Sequence, residues 1–146
     1  MMRIFVVQRH AATHLHYDLR LEIDGVLKSW AVPKGPPETI GVRRLAILVK
    51  DHPLEFADFE GVIPVGHGGA GTVEIWDKGW YETEGSAPAA QQFERGVMEL
   101  TLRGRILDGR YSLIRMISKK KKGGKPKDEW LLAKRSGGGA VTASQR

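Results

Sequence analysis

His16-Tyr17-Asp18-Leu19-Arg20-Leu21-Glu22-Ile23-Asp24 alternates without a break. In an extended chain His16, Asp18, Arg20, Glu22 and Asp24 fall on one face, and Tyr17, Leu19, Leu21 and Ile23 on the other. That is the period of a strand with one buried side. Asp24-Gly25 signals a tight turn, so Val26 to Val32 returns as the second arm of a hairpin. Outward from this hairpin the period remains two. Arg3 to Gln8 is rich in β-branched residues and reads as a strand. Pro33, Pro36 and Pro37 end regular structure, and Arg44 to His52 is a further strand halted by Pro53. Thr72 to Trp76 and Trp80 to Thr83 read as strands flanking a turn at Asp77-Lys78-Gly79. Val97 to Arg103, Arg110 to Ser118 and Trp130 to Lys134 complete the strands, with Asp108-Gly109 marking another hairpin. Gly85 to Ala90 is loop-like, and Gln91 to Arg95 suits a short helical turn. About eight short strands at this spacing predict an all-β sandwich or barrel. Residues 1–135 form one domain on this reading, and 136–146 (SGGGAVTASQR) a flexible C-terminal tail. No internal repeat is present.

The chain has 146 residues, enough for one core. It contains no cysteine. This excludes a disulfide scaffold and cysteine-based zinc sites, so a metal must be held by His, Asp or Glu. No apolar run approaches a membrane span, and Ile4-Phe5-Val6-Val7 is too short for the core of a signal peptide. These features together predict an intracellular, cytoplasmic protein without a membrane partner. The net charge of +6 suggests nucleic acid, but its distribution is uneven. Residues 1–118 carry 14 Lys and Arg against 15 Asp and Glu, whereas residues 119–146 carry 9 against 2. The excess sits in Lys119 to Lys122, Lys125 and Lys127. Such a run is either a solvated loop or a nonspecific, salt-sensitive grip on a phosphate backbone.

The polar face of the deciding strand has unusual chemistry. Residues two apart lie about 7 Å from each other on one side, so His16 and Asp18 can converge on one cation. His10 shares their parity. Two imidazoles and a carboxylate suit Mn²⁺, Fe²⁺ or Zn²⁺. Spacing equally allows surface histidines beside an Asp18–Arg20 ion pair. His14 shares the parity of His16 and is read as a surface residue. Arg20 beside a metal fits a phosphate or carboxylate, because its planar fork donates two parallel hydrogen bonds. Arg44, Ala46, Leu48, Lys50 and His52 share a face by parity. If that strand enters the same cavity, Arg44 and His52 reach it together; otherwise Arg43, Arg44 and Lys50 keep an edge soluble.

Gly66-His67-Gly68-Gly69-Ala70-Gly71 matches G-x-G-x-x-G literally. A dinucleotide site requires a following helix. Thr72-Val73-Glu74-Ile75-Trp76 is strand-like instead, so the glycines form a bulge or tight loop. Trp30, Trp76, Trp80 and Trp130 are read as core rather than base-stacking platforms.

Longer motifs carry a resemblance. Phe5-Val6-Val7-Gln8-Arg9-His10, Leu15 to Glu22 (LHYDLRLE) and Asp24 to Pro36 (DGVLKSWAVPKGP) resemble the 3′-phosphoesterase module of bacterial DNA ligase D and its free-standing relatives. So do Arg44-Leu45-Ala46, Asp51-His52-Pro53-Leu54, Phe59 to Pro64 (FEGVIP), Gly69 to Val73 (GAGTV) and Trp130-Leu131-Leu132. The resemblance covers the chain to about Lys134. It implies a compact antiparallel β-barrel with a polar central cavity and short helical turns at its periphery. It also implies Mn²⁺-dependent removal of a 3′-terminal ribonucleoside and then of the 3′-phosphate, for DNA repair by end joining; Co²⁺ or Zn²⁺ are alternative metals. By motif match the metal ligands are His10, His16 and Asp18. Arg20, His52 and Arg44 contact phosphate, with Lys34 and Gln8 as further catalytic-site residues. The implied partners are nucleic acid 3′ ends, an ATP-dependent DNA ligase, a polymerase and Ku.

The chain also departs from its relatives. Many have a longer arm before the first strand, linked to the monoesterase step. Lys50 stands where Glu is common, Phe56 where Tyr is common, and His67 where an aromatic or acidic residue is common. Two other classes fit the residues. One is a non-catalytic DNA-end-binding module; the other is a non-haem iron oxygenase whose triad would be His16, Asp18 and His52.

Overall fold

The alternating segments become strands β1 (Arg3–Ala11), β2 (Leu15–Ile23), β3 (Val26–Val32), β4 (Arg43–Pro53), β5 (Gly61–Ile63), β6 (Gly71–Thr83), β7 (Val97–Gly104), β8 (Asp108–Arg115) and β9 (Glu129–Ser136). A 3₁₀ turn spans Leu54–Asp58, and helix α1 spans Ala89–Arg95. This computed structural model describes residues 3–116 and 127–137. The lysines at 119–122 and 125, and the expected tail beyond Gly137, lie outside the described residues.

The strands pair in the order β1-β2-β3-β4-β9-β8-β7-β6, and β6 returns to β1. Eight antiparallel strands therefore close a ring, as the sequence led us to expect, and closure leaves few free edges. The short β5 lies beside the start of β6, pairing Gly61–Ile63 with Gly71–Val73. No helix among the described residues is long and apolar enough to cross a membrane.

Inside the ring, Phe5, Val7, Leu19, Leu21, Trp30, Val32, Leu100, Leu102, Leu113, Trp130 and Leu132 form one buried cluster. Trp30 meets Trp130 edge-on at 5.4 Å, and Phe93 of α1 stacks on Trp130 at 5.6 Å. Burying each large apolar side chain contributes roughly 1.5–3 kcal/mol. This packed interior corrects the expected central cavity. Leucines and tryptophans of inward parity fill the centre, so the polar side chains of β1–β3 project from the outside of the ring. A second small cluster, Val6, Leu27 and Ala57, fixes the 3₁₀ turn over that outer face.

Two turn assignments also change. Asp77-Lys78-Gly79 lies inside the continuous strand β6, with a bulge where Val7 pairs Asp77 and Gln8 pairs Ile75. Asp77 is buried, and its carboxylate accepts from the backbone N–H groups of Lys78, Arg105, Ile106 and Leu107. The reversal into β8 falls at Arg105–Leu107, one step before Asp108-Gly109. Of the four tryptophans, Trp30 and Trp130 are fully buried, whereas Trp80 is half exposed.

Candidate active site

β1 continues straight through His10, and its hairpin with β2 sets His10 directly opposite His16 and Gln8 opposite Asp18. Alternation places all four on the outer face. His10 Nδ1 lies 3.2 Å from His16 Nε2, His16 Nε2 lies 3.3 Å from Asp18 Oδ1, and His10 Nδ1 lies 3.7 Å from Asp18 Oδ2. These are the residues whose ligand atoms group within 4.8 Å. An ion bound about 2.0–2.2 Å from each donor separates neighbouring donors by roughly 3.0–3.5 Å, so the spacing fits one small divalent cation. Both imidazoles are oriented for it. His10 Nε2 donates to Gly69 O at 2.8 Å, and His16 Nδ1 donates to His14 O at 3.1 Å. Each ring thereby gives its proton to a carbonyl and turns a lone pair inward, the usual outer support of metal-ligating histidines. Asp18 raises the His16 pKa, chiefly through their hydrogen bond.

Arg20 follows on β2 and is buried. Its Nε donates to Gln8 Oε1 at 2.6 Å, Nη1 donates to Ser29 Oγ at 2.9 Å, and Nη2 donates to Asp18 Oδ2 at 3.3 Å. The guanidinium also lies over the Phe56 ring, 4.8 Å from its centre. Burial lowers its pKa, and Asp18 opposes that shift. Gln8 is fully buried and ties the site to the turn above it, donating from Nε2 to Phe56 O and Phe59 O at 2.8 and 3.1 Å.

His52 Nδ1 lies 3.1 Å from Arg20 Nη1 and 3.1 Å from Lys50 O. Arginine has only hydrogens to offer, so the bond to Arg20 makes Nδ1 an acceptor with the proton on Nε2, whereas a bond to Lys50 O is met only by a proton on Nδ1. Burial and then the Arg20 charge push His52 below the ordinary imidazole value. The shift favours the uncharged ring, and with Arg20 as the Nδ1 partner Nε2–H is left as its free donor.

His10, His16, Asp18, Arg20, Lys50, His52 and Phe56, with Gly68 and Gly69, line one cavity of about 520 Å³. Lys34 and Arg44 are not in it. They line a separate cleft of about 200 Å³ with Tyr17, Glu38 and Trp76, where the inner face of the ring opens at its end. Arg44 Nη1 donates to Lys34 O at 3.2 Å. Parity grouped Arg44 with His52, but β3 and β4 pair as Ser29 with Val49 and Leu27 with His52. Two steps on β3 thus match three on β4. This bulge reverses parity, so Ala46 stays inside the ring while His52 turns outward. The triad of His16, Asp18 and His52 is not assembled either, because Arg20 stands between His52 and the carboxylate. His14 and His67 are exposed.

Sequence reasoning missed two contributors. The carbonyl of Gly69 orients His10, and Ser29 helps fix Arg20. The glycine-rich loop supplies the first by running straight into strand β6. At Gly71, with φ +137°, a Cβ would collide with the Ala11 carbonyl, so glycine alone lets the loop pass β1 that closely.

Comparison with known proteins now adds to this geometry. Residues 8–115 match the DNA Ligase D 3′-phosphoesterase domain family. The chain is 47% identical over 137 residues to the multifunctional non-homologous end joining protein LigD of Pseudomonas aeruginosa, covering 93% of this chain and 15% of that protein. It is 52% identical over 111 residues to the multifunctional non-homologous end joining DNA repair protein LigD of Mycobacterium tuberculosis, covering 76% and 14%. The corresponding protein of Mycolicibacterium smegmatis is 51% identical over 114 residues, covering 75% and 15%. The chain thus spans about 15% of the length of these relatives.

Proposed function

Because this chain belongs to the DNA ligase D 3′-phosphoesterase domain family, we propose that it is a metal-dependent phosphoesterase that trims nucleic acid 3′ ends. The observation that carries the reading is the meeting of His10, His16 and Asp18 with Arg20 and His52 in one cavity. Three facing donors suit a divalent cation, with Mn²⁺ the first choice and Co²⁺ or Zn²⁺ as alternatives. A bound ion acts as a Lewis acid on a phosphoryl oxygen. The substrate is a duplex 3′ end carrying a ribonucleotide or a phosphate, and the product is a 3′-OH for a polymerase or an ATP-dependent DNA ligase. The names of the relatives support a place in DNA repair by end joining, with Ku as a further candidate partner.

The chain's own residues divide the remaining work. Arg20 holds one phosphate oxygen and offsets negative charge as it develops. Its four contacts to the protein pre-set its direction, so little reorganisation is needed at the moment of reaction. Neutral His52, with its proton on Nε2, donates a hydrogen bond to a phosphate oxygen and stabilises the charge that develops there. Gln8 acts as a positioning residue, because it lies beneath Arg20 rather than on the cavity wall. Lys34 and Arg44 lie in the neighbouring cleft and act on a more distant part of the nucleic acid.

The test is a pair of labelled primer–templates, one ending in a 3′-ribonucleotide and one in a 3′-phosphate, each assayed across a metal series. Trimming to a 3′-OH with Mn²⁺, abolished by His16→Ala, is expected. Cleavage unchanged in that variant would overturn the metal assignment, and binding of both ends without turnover under every metal would replace the enzyme with an end-binding module.

A further inference from the structure

A guanidinium offers five N–H hydrogens. In Arg20 the protein engages four of them, through Gln8, Ser29, His52 and Asp18. One hydrogen on Nη2 remains for a ligand, and the positive charge is already shared with Asp18 at 3.3 Å. A phosphate entering the cavity therefore calls for a second cation. Lys50 meets that need. It lines the same cavity and is exposed, and no acidic side chain among the described residues forms an ion pair with it. The neighbouring Asp51 is already paired with Lys28. The β4 bulge puts it there, since Lys50 and Asp51 lie between the paired positions Val49 and His52. Lys50 turns to the cavity while Asp51 turns to Lys28.

We propose that Lys50 is a phosphate-binding, specificity-determining residue that favours a 3′-phosphomonoester over a phosphodiester. The proposal rests on the phosphoesterase reading and deepens it. A diester carries one negative charge, whereas a terminal monoester carries nearly two at pH 7 because its second pKa lies near 6. Coulomb attraction grows with ligand charge, so an unpaired ammonium gains about twice as much from the monoester. Screening at this exposed position limits the effect to roughly tenfold. Three rotatable N–H groups on a flexible stem also let Lys50 follow a terminal phosphate that a fixed guanidinium meets in one geometry.

Two measurements test this. In the first, Lys50→Ala and Lys50→Arg are assayed with Mn²⁺ on the 3′-phosphate and 3′-ribonucleotide primer–templates. Lys50→Ala is expected to lower kcat/KM roughly tenfold on the 3′-phosphate, mainly through KM, and at most about threefold on the diester. Lys50→Arg restores most of the loss, and Lys28→Ala, whose partner is Asp51, changes neither. Equal losses on both substrates, or a wild-type protein that cleaves the diester and leaves the 3′-phosphate, overturn the proposal. The second measurement needs no turnover: metal-free protein is titrated with inorganic phosphate while the His52 ring signals are followed by NMR. Weaker phosphate binding in Lys50→Ala supports the assignment, and unchanged binding overturns it. A wild-type protein that cleaves neither substrate removes the phosphoesterase reading, and the phosphate titration still decides the role of Lys50.

Discussion

Replacing Gln8 should separate the Arg20 and His52 side of the cavity from the side formed by His10, His16 and Asp18. Gln8 is fully buried, and three hydrogen bonds converge on it, from Arg20 Nε at 2.6 Å and to Phe56 O and Phe59 O at 2.8 and 3.1 Å. Gln8→Leu keeps most of the volume and removes all three. Each buried group left without a partner costs about 1–3 kcal/mol, more where the group is charged. Two carbonyls and one guanidinium N–H are orphaned, and entering water offsets part of the loss. The expected destabilisation is roughly 3–4 kcal/mol, a large share of the 5–15 kcal/mol typical of a domain. Gln8→Glu sharpens the test. Its carboxylate still accepts from Arg20, but its other oxygen faces two carbonyls with no hydrogen between them, so the 3₁₀ turn is released while Arg20 remains held. Urea denaturation measures both variants. Divalent-metal binding should survive in each, because His10 and His16 take their orientation from Gly69 and His14. Phosphate binding should fall in both, in Gln8→Leu because Arg20 is no longer held and in Gln8→Glu because a second carboxylate shares its charge. A Gln8→Leu variant within about 1 kcal/mol of wild type would refute the reasoning.

Saturating Mn²⁺ should raise the melting temperature by several degrees, since ligand at 100 times Kd contributes about 2.7 kcal/mol; chelation or His16→Ala should remove the shift in a thermal-melt series. Gly71→Ala should cost roughly 2 kcal/mol or more, because it combines an unfavourable φ with a collision against Ala11, and denaturant titration measures it. Burial raises the pKa of Tyr81 and Tyr111 well above the ordinary 10.0, while their hydroxyls donate to Glu22 O and Pro37 O. The unfolded chain releases these protons near pH 10 and the folded chain keeps them. Stability is therefore fully present below about pH 10 and falls as pH rises past it. Tyrosinate absorbance should then develop for these two residues together with loss of the fold, and titration of either phenol in a folded protein would contradict this.

The alternating hairpin at His16–Asp24 and the strands on either side were legible in the sequence, because a strand's period of two is local and needs no partner. The grouping of His10, His16 and Asp18 on one face was equally open to reading, as were the helical turn near Gln91–Arg95 and the rejection of a dinucleotide loop. Long motifs carried the resemblance to the family. The side of the ring on which the chemistry sits was not legible. Parity says that Asp18 and Leu19 face opposite ways, but only closure of the ring makes the leucine side the interior. The Asp77-Lys78-Gly79 segment shows the same limit. Its composition favours a turn, yet the Asp77 carboxylate holds four backbone N–H groups, three of them in the distant Arg105–Leu107 reversal, and the strand runs on.

By itself the sequence determined the strands, the polar face and the residue types available to hold a metal and a phosphate. Each of these follows from neighbours a few positions apart. The tertiary structure decided that Arg44 and Lys34 leave the cavity while His52 and Lys50 enter it. One extra residue in β4, opposite Leu27 and Ser29, reverses parity midway along the strand. A bulge is a relation between two paired strands, so no pattern within either strand alone encodes it.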